Sequence, residues 1–435
     1  MTESHFNTAL LDFIRCSPTP FHAVECLTAM LSQAGFKPLD EAEPWELVRG
    51  CGYFVKRGGS VIAFRFGQGG SLQHGIHVAG AHTDSPCLKV KPQALISKSR
   101  YWQLGVEVYG GALLNPWFDR DLSIAGKVIY RASDNSIRAC LIDFEEPVAV
   151  IPSLAIHLDR EANNNRSINA QEHLQAIISL RKNDSPISLN DLLLQHLESK
   201  HQITDAVTIL SHDLCLYDAQ PPALIGLEKE FIAGARLDNL LSCYLIAKSL
   251  IDSNGADTSL IVCNDHEEVG SMSTTGAQGP FLSSTLSRLI ASESAAADAV
   301  ERVLRRSMML SIDNAHGVHP NFADKHDPQH GPVLNEGPVI KINANQRYAS
   351  DSETVANFTA YCEVVGVNSQ SFVMRSDMAC GSTIGPLTSA QIGMATVDVG
   401  VPTFAMHSIR ELAGSRDASD LTNVVTAFFD RRVQA

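Results

Sequence analysis

Seven polar side chains stand where predicted strands and a helix would present them to a ligand. His82 and Asp84 follow the apolar run Gly75 to Ala81, Glu267 and Glu268 follow Leu260 to Cys263, and Asp313 follows Met309 to Ile312. His407 follows the stretch Val397 to Met406, and Asp238 opens a helical segment, where the helix dipole favours a carboxylate. Taken singly, each has a structural reading: a hydrogen-bonded histidine after a strand, an acid at a helix start, a paired-acid turn. Together, two histidines and three carboxylates with two further acids beside them suit a pair of divalent metal ions with N and O ligands. Zinc is the natural choice, with manganese or cobalt possible. Such a site activates water, because a metal lowers the pKa of bound water from about 15.7 to near 7.

Other chemistries lack their residues. There is no Gly-x-x-x-x-Gly-Lys-[Ser/Thr] phosphate loop and no Gly-x-Ser-x-Gly nucleophile elbow. His266-Glu267-Glu268-Val269-Gly270 begins like a His-Glu-x-x-His zinc helix, but Gly270 occupies the second histidine's place.

The elements that must position these residues form an α/β pattern at both chain ends. Phe21 to Ala34 reads as a helix closed by Gly35, Val61 to Phe66 as a strand, and Gly75 to Ala81 as a buried strand. After residue 230 come helix Leu237 to Ile251, strand Ser259 to Cys263, helix Ala291 to Arg306 and strands Met308 to Ile312 and Val339 to Ile342. Helix Glu353 to Val364, strands Ser371 to Met374 and Met394 to Val399, and helix Leu421 to Arg432 complete the series. In an open α/β sheet, ligands gather at the carboxyl ends of strands, where the candidate residues fall. Between about residues 95 and 218 the texture differs. Short β-rich runs (Leu104 to Tyr109, Lys127 to Arg131, Ile137 to Ile142, Val148 to Ile151) precede helices predicted over Gln171 to Leu180 and Asn190 to Ser199. The economical division is one split domain, 1–94 with 219–435, interrupted by an inserted β-rich module, 95–218.

Composition bounds the partners. With 34 Lys+Arg against 48 Asp+Glu the formal charge is −14, which argues against nucleic acid or an anionic membrane as a main partner. No apolar run reaches the roughly 18 to 20 residues that span a bilayer. Met1 to Arg15 lacks the basic start and apolar stretch of an export signal, so a cytoplasmic location is the expectation. Ten cysteines without a Cys-x-x-Cys pair read as reduced thiols.

The motifs resemble those of the aspartyl aminopeptidase family of metallo-aminopeptidases, within a wider clan of dizinc exopeptidases. The likeness is carried by His77 to Pro86, Arg236 to Asn239, Asp265 to Ser271, Ser311 to Asn321, Gly337 to Asn343, Gln346 to Ser350 and Met406 to Glu411, in that order. It implies an α/β/α catalytic domain with a mixed sheet and an inserted dimerisation module. His82 and Asp313 would bind one metal, Glu268 and His407 the other, with Asp238 bridging. Asp84 would hold the His82 ring, and Glu267 would act as general base. The resemblance also implies a cis peptide at Asp238-Asn239 and substrate contacts from His316, Lys341, Tyr348 and, reaching into a neighbouring subunit, His157. Its members release single N-terminal residues, with acidic Asp and Glu favoured, and assemble from dimers into tetrahedral dodecamers. An amidohydrolase or dipeptidase of the same clan is the alternative. A catalytically idle assembly protein is less consistent with the intact ligand set.

Overall fold

The computed structural model describes residues 3–68, 71–181 and 188–433. Their contacts divide the chain into two compact units: residues 1–84, 222–406 and 411–435 in the first, and 85–221 with 407–410 in the second. The expected division at 94 would cut the strand Cys87–Lys98, which belongs wholly to the second unit.

The first unit is built on a nine-stranded mixed sheet. Its order is Lys37–Pro38, Gly52–Arg57, Ser60–Arg65, Ser259–Asn264, His77–His82, Met308–Ile312, Ala395–Gly400, Val339–Ile342 and Gln370–Val373. The four central strands, Ser259–Asn264 to Ala395–Gly400, run parallel, so their carboxyl ends share one edge. Val339–Ile342 runs antiparallel to Ala395–Gly400 and makes the sheet mixed. Strand side chains alternate between faces, and both faces are covered. Ala79, Ala81, Ile261, Leu310 and Val399 pack with the helices Leu237–Asp252 and Asp417–Phe429. Val78, Val262 and Met309 pack with Phe281–Ala291 and Ala299–Arg305. That double burial explains why these strands read as continuous apolar runs rather than alternating ones. Leu237, Leu240, Leu241, Leu245 and Leu250 of the first helix are 0% exposed, each contributing about 1.5–3 kcal/mol over an exposed side chain. A second sheet of this unit joins Ala223–Ile225, Phe231–Gly234, Glu411–Gly414, Pro402–Phe404 and Ala315–His316.

The second unit is a six-stranded antiparallel sheet in the order Ile137–Asp143, Leu122–Ala132, Ala206–Asp218, Cys87–Lys98, Tyr101–Tyr109 and Ala176–Leu180. The helix Leu189–His201 closes its core through Leu193 and Leu197.

Three local expectations change. Gln171 to Leu180 is a short helix, Ala170–His173, followed by the strand Ala176–Leu180, whose Ile177 and Ile178 suit a sheet and which pairs with Tyr101–Leu104. Ala291 to Arg306 is not one helix: it takes in the last residue of the helix Phe281–Ala291, a break at Ser292–Asp298 and the short helix Ala299–Arg305. There the Ser292 hydroxyl donates to the Leu289 carbonyl at 2.6 Å and the Ser294 hydroxyl accepts from Ala296 N–H at 3.3 Å, local bonds that compete with the helix. Val148 to Ile151 makes only isolated bridges, through Ala149 and Val150.

Candidate metal centre

Four of the sequence-nominated residues leave the parallel edge of the large sheet together. His82 ends the strand His77–His82, Asp313 follows Met308–Ile312, and Glu267 and Glu268 form a single tight turn, Glu267–Val269, beyond Ser259–Asn264. Asp313 can sit this close to the neighbouring strand because position 400 is glycine: a Cβ there would lie 1.8 Å from the Asp313 carbonyl oxygen. Asp238 enters from the helix side, in a non-helical first turn with φ −82° and ψ 104°, and the Asp238-Asn239 peptide is cis.

Within this edge, His82, Asp238 and Glu268 each offer a ligand atom, all within 4.8 Å of one another. His82 Nε2 lies 3.3 Å from Asp313 Oδ1 and 3.4 Å from Asp238 Oδ1. The other ring nitrogen, Nδ1, faces the Asp84 carbonyl oxygen at 3.0 Å and its carboxylate at 3.5 Å. Asp84 does a second job: its two carboxylate oxygens accept the backbone N–H groups of Glu267 and Glu268, each at 3.1 Å. One buried acid thus fixes both the histidine ring and the turn that carries the acid pair.

The electrostatics follow from crowding carboxylates in a buried place. Burial, reinforced by Asp313, Asp238 and Asp84 and opposed by His82, pushes Glu267 up to about 7. Burial and then the Asp238 charge raise Glu268. Burial disfavours a charged His82, but hydrogen bonds with Asp238, Asp313 and Asp84 outweigh it and raise its pKa. An imidazole nitrogen with carboxylate oxygens is a donor set that fits a divalent metal such as zinc.

The residues nominated for substrate fall in different places. Lys341, 1% exposed, directs Nζ to Asp313 Oδ2 and the Asn314 carbonyl, both at 3.3 Å, and stands 5.3 Å from the Tyr348 ring centre. Tyr348 is buried, and burial above all raises its pKa. His316 lies edge-on to Phe372 at 5.5 Å, and burial followed by the Lys341 charge lowers its pKa. His157 is exposed on the second unit, flanked by exposed Leu154, Ile156 and Leu158. His407 also groups with the second unit, contrary to the expected division. Its Nδ1 faces the Gly111 carbonyl oxygen at 3.2 Å, its own carbonyl accepts from Leu113 N–H at 3.0 Å, and nearby Ile409 is buried in that unit's core.

Three supporting residues escaped the sequence reading. Glu411 Oε2 accepts the Asp238 N–H at 2.9 Å, Asn239 Nδ2 donates to the Ile312 carbonyl at 2.8 Å, and the Cys243 thiol donates to the His82 carbonyl at 3.0 Å. Glu411 and Asn239 lie inside the quoted motifs, yet nothing in their spacing separates a brace from a ligand.

Comparison with known proteins places the chain among its relatives. A probable M18 family aminopeptidase 2 of Azotobacter vinelandii is 53% identical over 427 residues, 98% of each chain. A chain of the Ape4 and Nbr1 complex superposes with a TM-score of 0.95 at 35% identity, over 99% of this chain and 86% of its own. The S. cerevisiae mApe1 dodecamer gives 0.83 at 27% identity, over 99% of both chains. The family described as aminopeptidase I zinc metalloprotease (M18) matches residues 13–429, and with a histidine–carboxylate cluster at the sheet edge the chain belongs to that family of metallo-aminopeptidases.

Proposed function

We propose that the chain removes single residues from peptide N-termini, with Asp and Glu preferred, and that the observation carrying this reading is the cluster of His82, Asp238 and Glu268 with Glu267 beside it. His82 and Asp313 would hold one divalent ion, Glu268 and His407 a second, and Asp238 would serve both, the assignment that the family resemblance implies. When bound, such ions supply Lewis acidity to the scissile carbonyl and a water acidified toward neutrality. Glu267, in the same turn as Glu268 and outside the ligand cluster, would take a proton from that water and return it to the leaving amine. Asp84 keeps His82 oriented and Glu267 placed through the hydrogen bonds described above.

The preference for acidic residues rests on Lys341 and Tyr348. A buried ammonium next to Asp313 is a donor that a substrate carboxylate can use in an otherwise acidic centre. His316 would line the same pocket. His157 would reach a neighbouring subunit's site, and the exposed apolar side chains around it support an assembly role for the second unit. By likeness to the mApe1 dodecamer, the assembly would be a homododecamer built from dimers. A cytoplasmic location, with no nucleic-acid or membrane partner, fits the −14 charge, and among the described residues no helix is long and apolar enough to cross a membrane.

The test is chelation followed by restoration. Stripping metal should abolish hydrolysis of amino acid anilides, and zinc, manganese or cobalt should restore it, with Asp- and Glu-anilides cleaved faster than Leu- and Lys-anilides. Undiminished activity after chelation would refute the metal mechanism, and faster cleavage of Leu- or Lys-anilide would refute the acidic preference.

A further inference from the structure

Asp398 lies within the strand Ala395–Gly400 and is 0% exposed, outside the cluster that would hold metal. Its two carboxylate oxygens serve two different loops. Oδ2 accepts the Ala349 backbone N–H at 2.6 Å, and Oδ1 accepts the Thr383 hydroxyl at 2.6 Å. Its own N–H donates to the Ser350 hydroxyl at 2.9 Å. The first loop carries Tyr348, and the second carries Cys380, which packs against the buried cluster that contains Tyr348. Lys341 stands on the adjacent antiparallel strand, next after the Ile340–Val399 pair, with its ammonium between Asp313 and the Tyr348 ring.

Neither loop has a regular backbone ladder where it carries these residues, so side-chain bonds must set its position. A buried carboxylate is costly without donors, and Asp398 spends both oxygens on them. The packing is specific to this carboxylate: Gly385, in the first turn of the helix Ile384–Ile392, would place a Cβ 2.4 Å from each Asp398 oxygen, so the helix approaches only because position 385 has no side chain.

We propose that Asp398 is the positioning residue of the acid-recognising pocket, tying the Tyr348 and Thr383 loops to the central sheet and so fixing Tyr348 against the Lys341 ammonium. The inference rests on the reading of Lys341 and Tyr348 as pocket residues, which the experiment checks alongside it. Steady-state kinetics of the metal-loaded enzyme on Asp- and Leu-anilide, with metal content and thermal midpoint, should be measured for Asp398→Asn, Thr383→Val and Gly385→Ala, with Lys341→Ala as control. Asp398→Asn should raise KM for Asp-anilide about tenfold, as expected for one lost charge-assisted bond, while kcat, the Leu-anilide constants and metal content stay within about twofold. Thr383→Val removes one of the loop bonds and should give a smaller shift of the same kind. Gly385→Ala keeps the carboxylate but displaces it, and should reproduce the KM effect. If Asp398→Asn yields no soluble enzyme, Thr383→Val and Gly385→Ala decide. Equal losses on both substrates, or no change in either, with Lys341→Ala still losing Asp-anilide cleavage selectively, would overturn the role of Asp398 and leave the pocket reading intact. Equal losses on both substrates in Lys341→Ala would overturn the pocket reading and this inference with it.

Discussion

Glu267 and Glu268 are chain neighbours with one shared support, the Asp84 carboxylate that accepts both of their backbone N–H groups. Their side chains diverge in use: Glu268 joins the ligand cluster with His82 and Asp238, and Glu267 does not. Glu267→Gln should therefore lower kcat by about 10²- to 10⁴-fold, the range for general acid–base catalysis, while metal content stays at the wild-type level. Steady-state kinetics with metal analysis on the same sample check this, and a parallel loss of metal would make Glu267 a ligand instead. At this scale much of the site was legible, because His82, Asp238, Glu268 and Asp313 are chemically distinctive residues standing at element ends. Asp398 was not legible. A lone acid inside the valine-rich stretch Val397 to Val399 carries no spacing signal, and its meaning comes from loops about 50 and 15 residues away in sequence.

At the scale of elements, the parallel strands were recognisable from apolar runs, whereas the helices Phe281–Ala291 and Ile384–Ile392 were not anticipated. The alanine-rich segment after Ser292 drew the helix expectation, but alanines offer little apolar surface to bury, and packing of Phe281, Leu286 and Leu289 decides where the helix forms. The last helix shows the same dependence on context. It begins at Asp417, four residues before the expected Leu421, because the 0% exposed Asp417 carboxylate accepts the N–H groups of Asn335 at 2.7 Å and Gly337 at 3.0 Å. Burial pushes this carboxyl from 3.8 up to about 7, with those two backbone bonds opposing it. The folded state therefore binds its proton more tightly than the unfolded chain, and the group's contribution to stability is fully present below pH 3.8 and lost as pH rises toward 7. The slope over that window is on the order of 1.4 kcal/mol per pH unit from this group. Asp417→Asn should flatten the pH dependence of denaturant-unfolding stability between those limits, and an unchanged slope would show that Asp417 does not titrate there.

For the whole molecule, the opening expectation of an interrupted chain meets two compact units, the second starting at Ser85 and taking His407–Arg410 with it. Leu158 is 75% exposed beside His157, with exposed Leu154 and Ile156 near it in sequence, and the proposed assembly would cover them. Leu158→Asp should shift the native mass by light scattering toward smaller species; a wild-type mass near the 47.1 kDa monomer would end the assembly reading. The −14 charge also sharpens the specificity question, since an acidic protein that selects acidic N-termini must use a local donor such as the Lys341 ammonium. The sequence by itself determined the α/β class, the apolar strands and the ligand-type residues at their ends, because these depend on short-range pattern and side-chain chemistry. Tertiary structure alone decided which acids gather at the sheet edge, where the units part, and how Asp398, Asp417 and Glu411 brace distant segments. Those roles arise from burial and from hydrogen bonds between residues far apart in the chain, and no local pattern encodes such pairings.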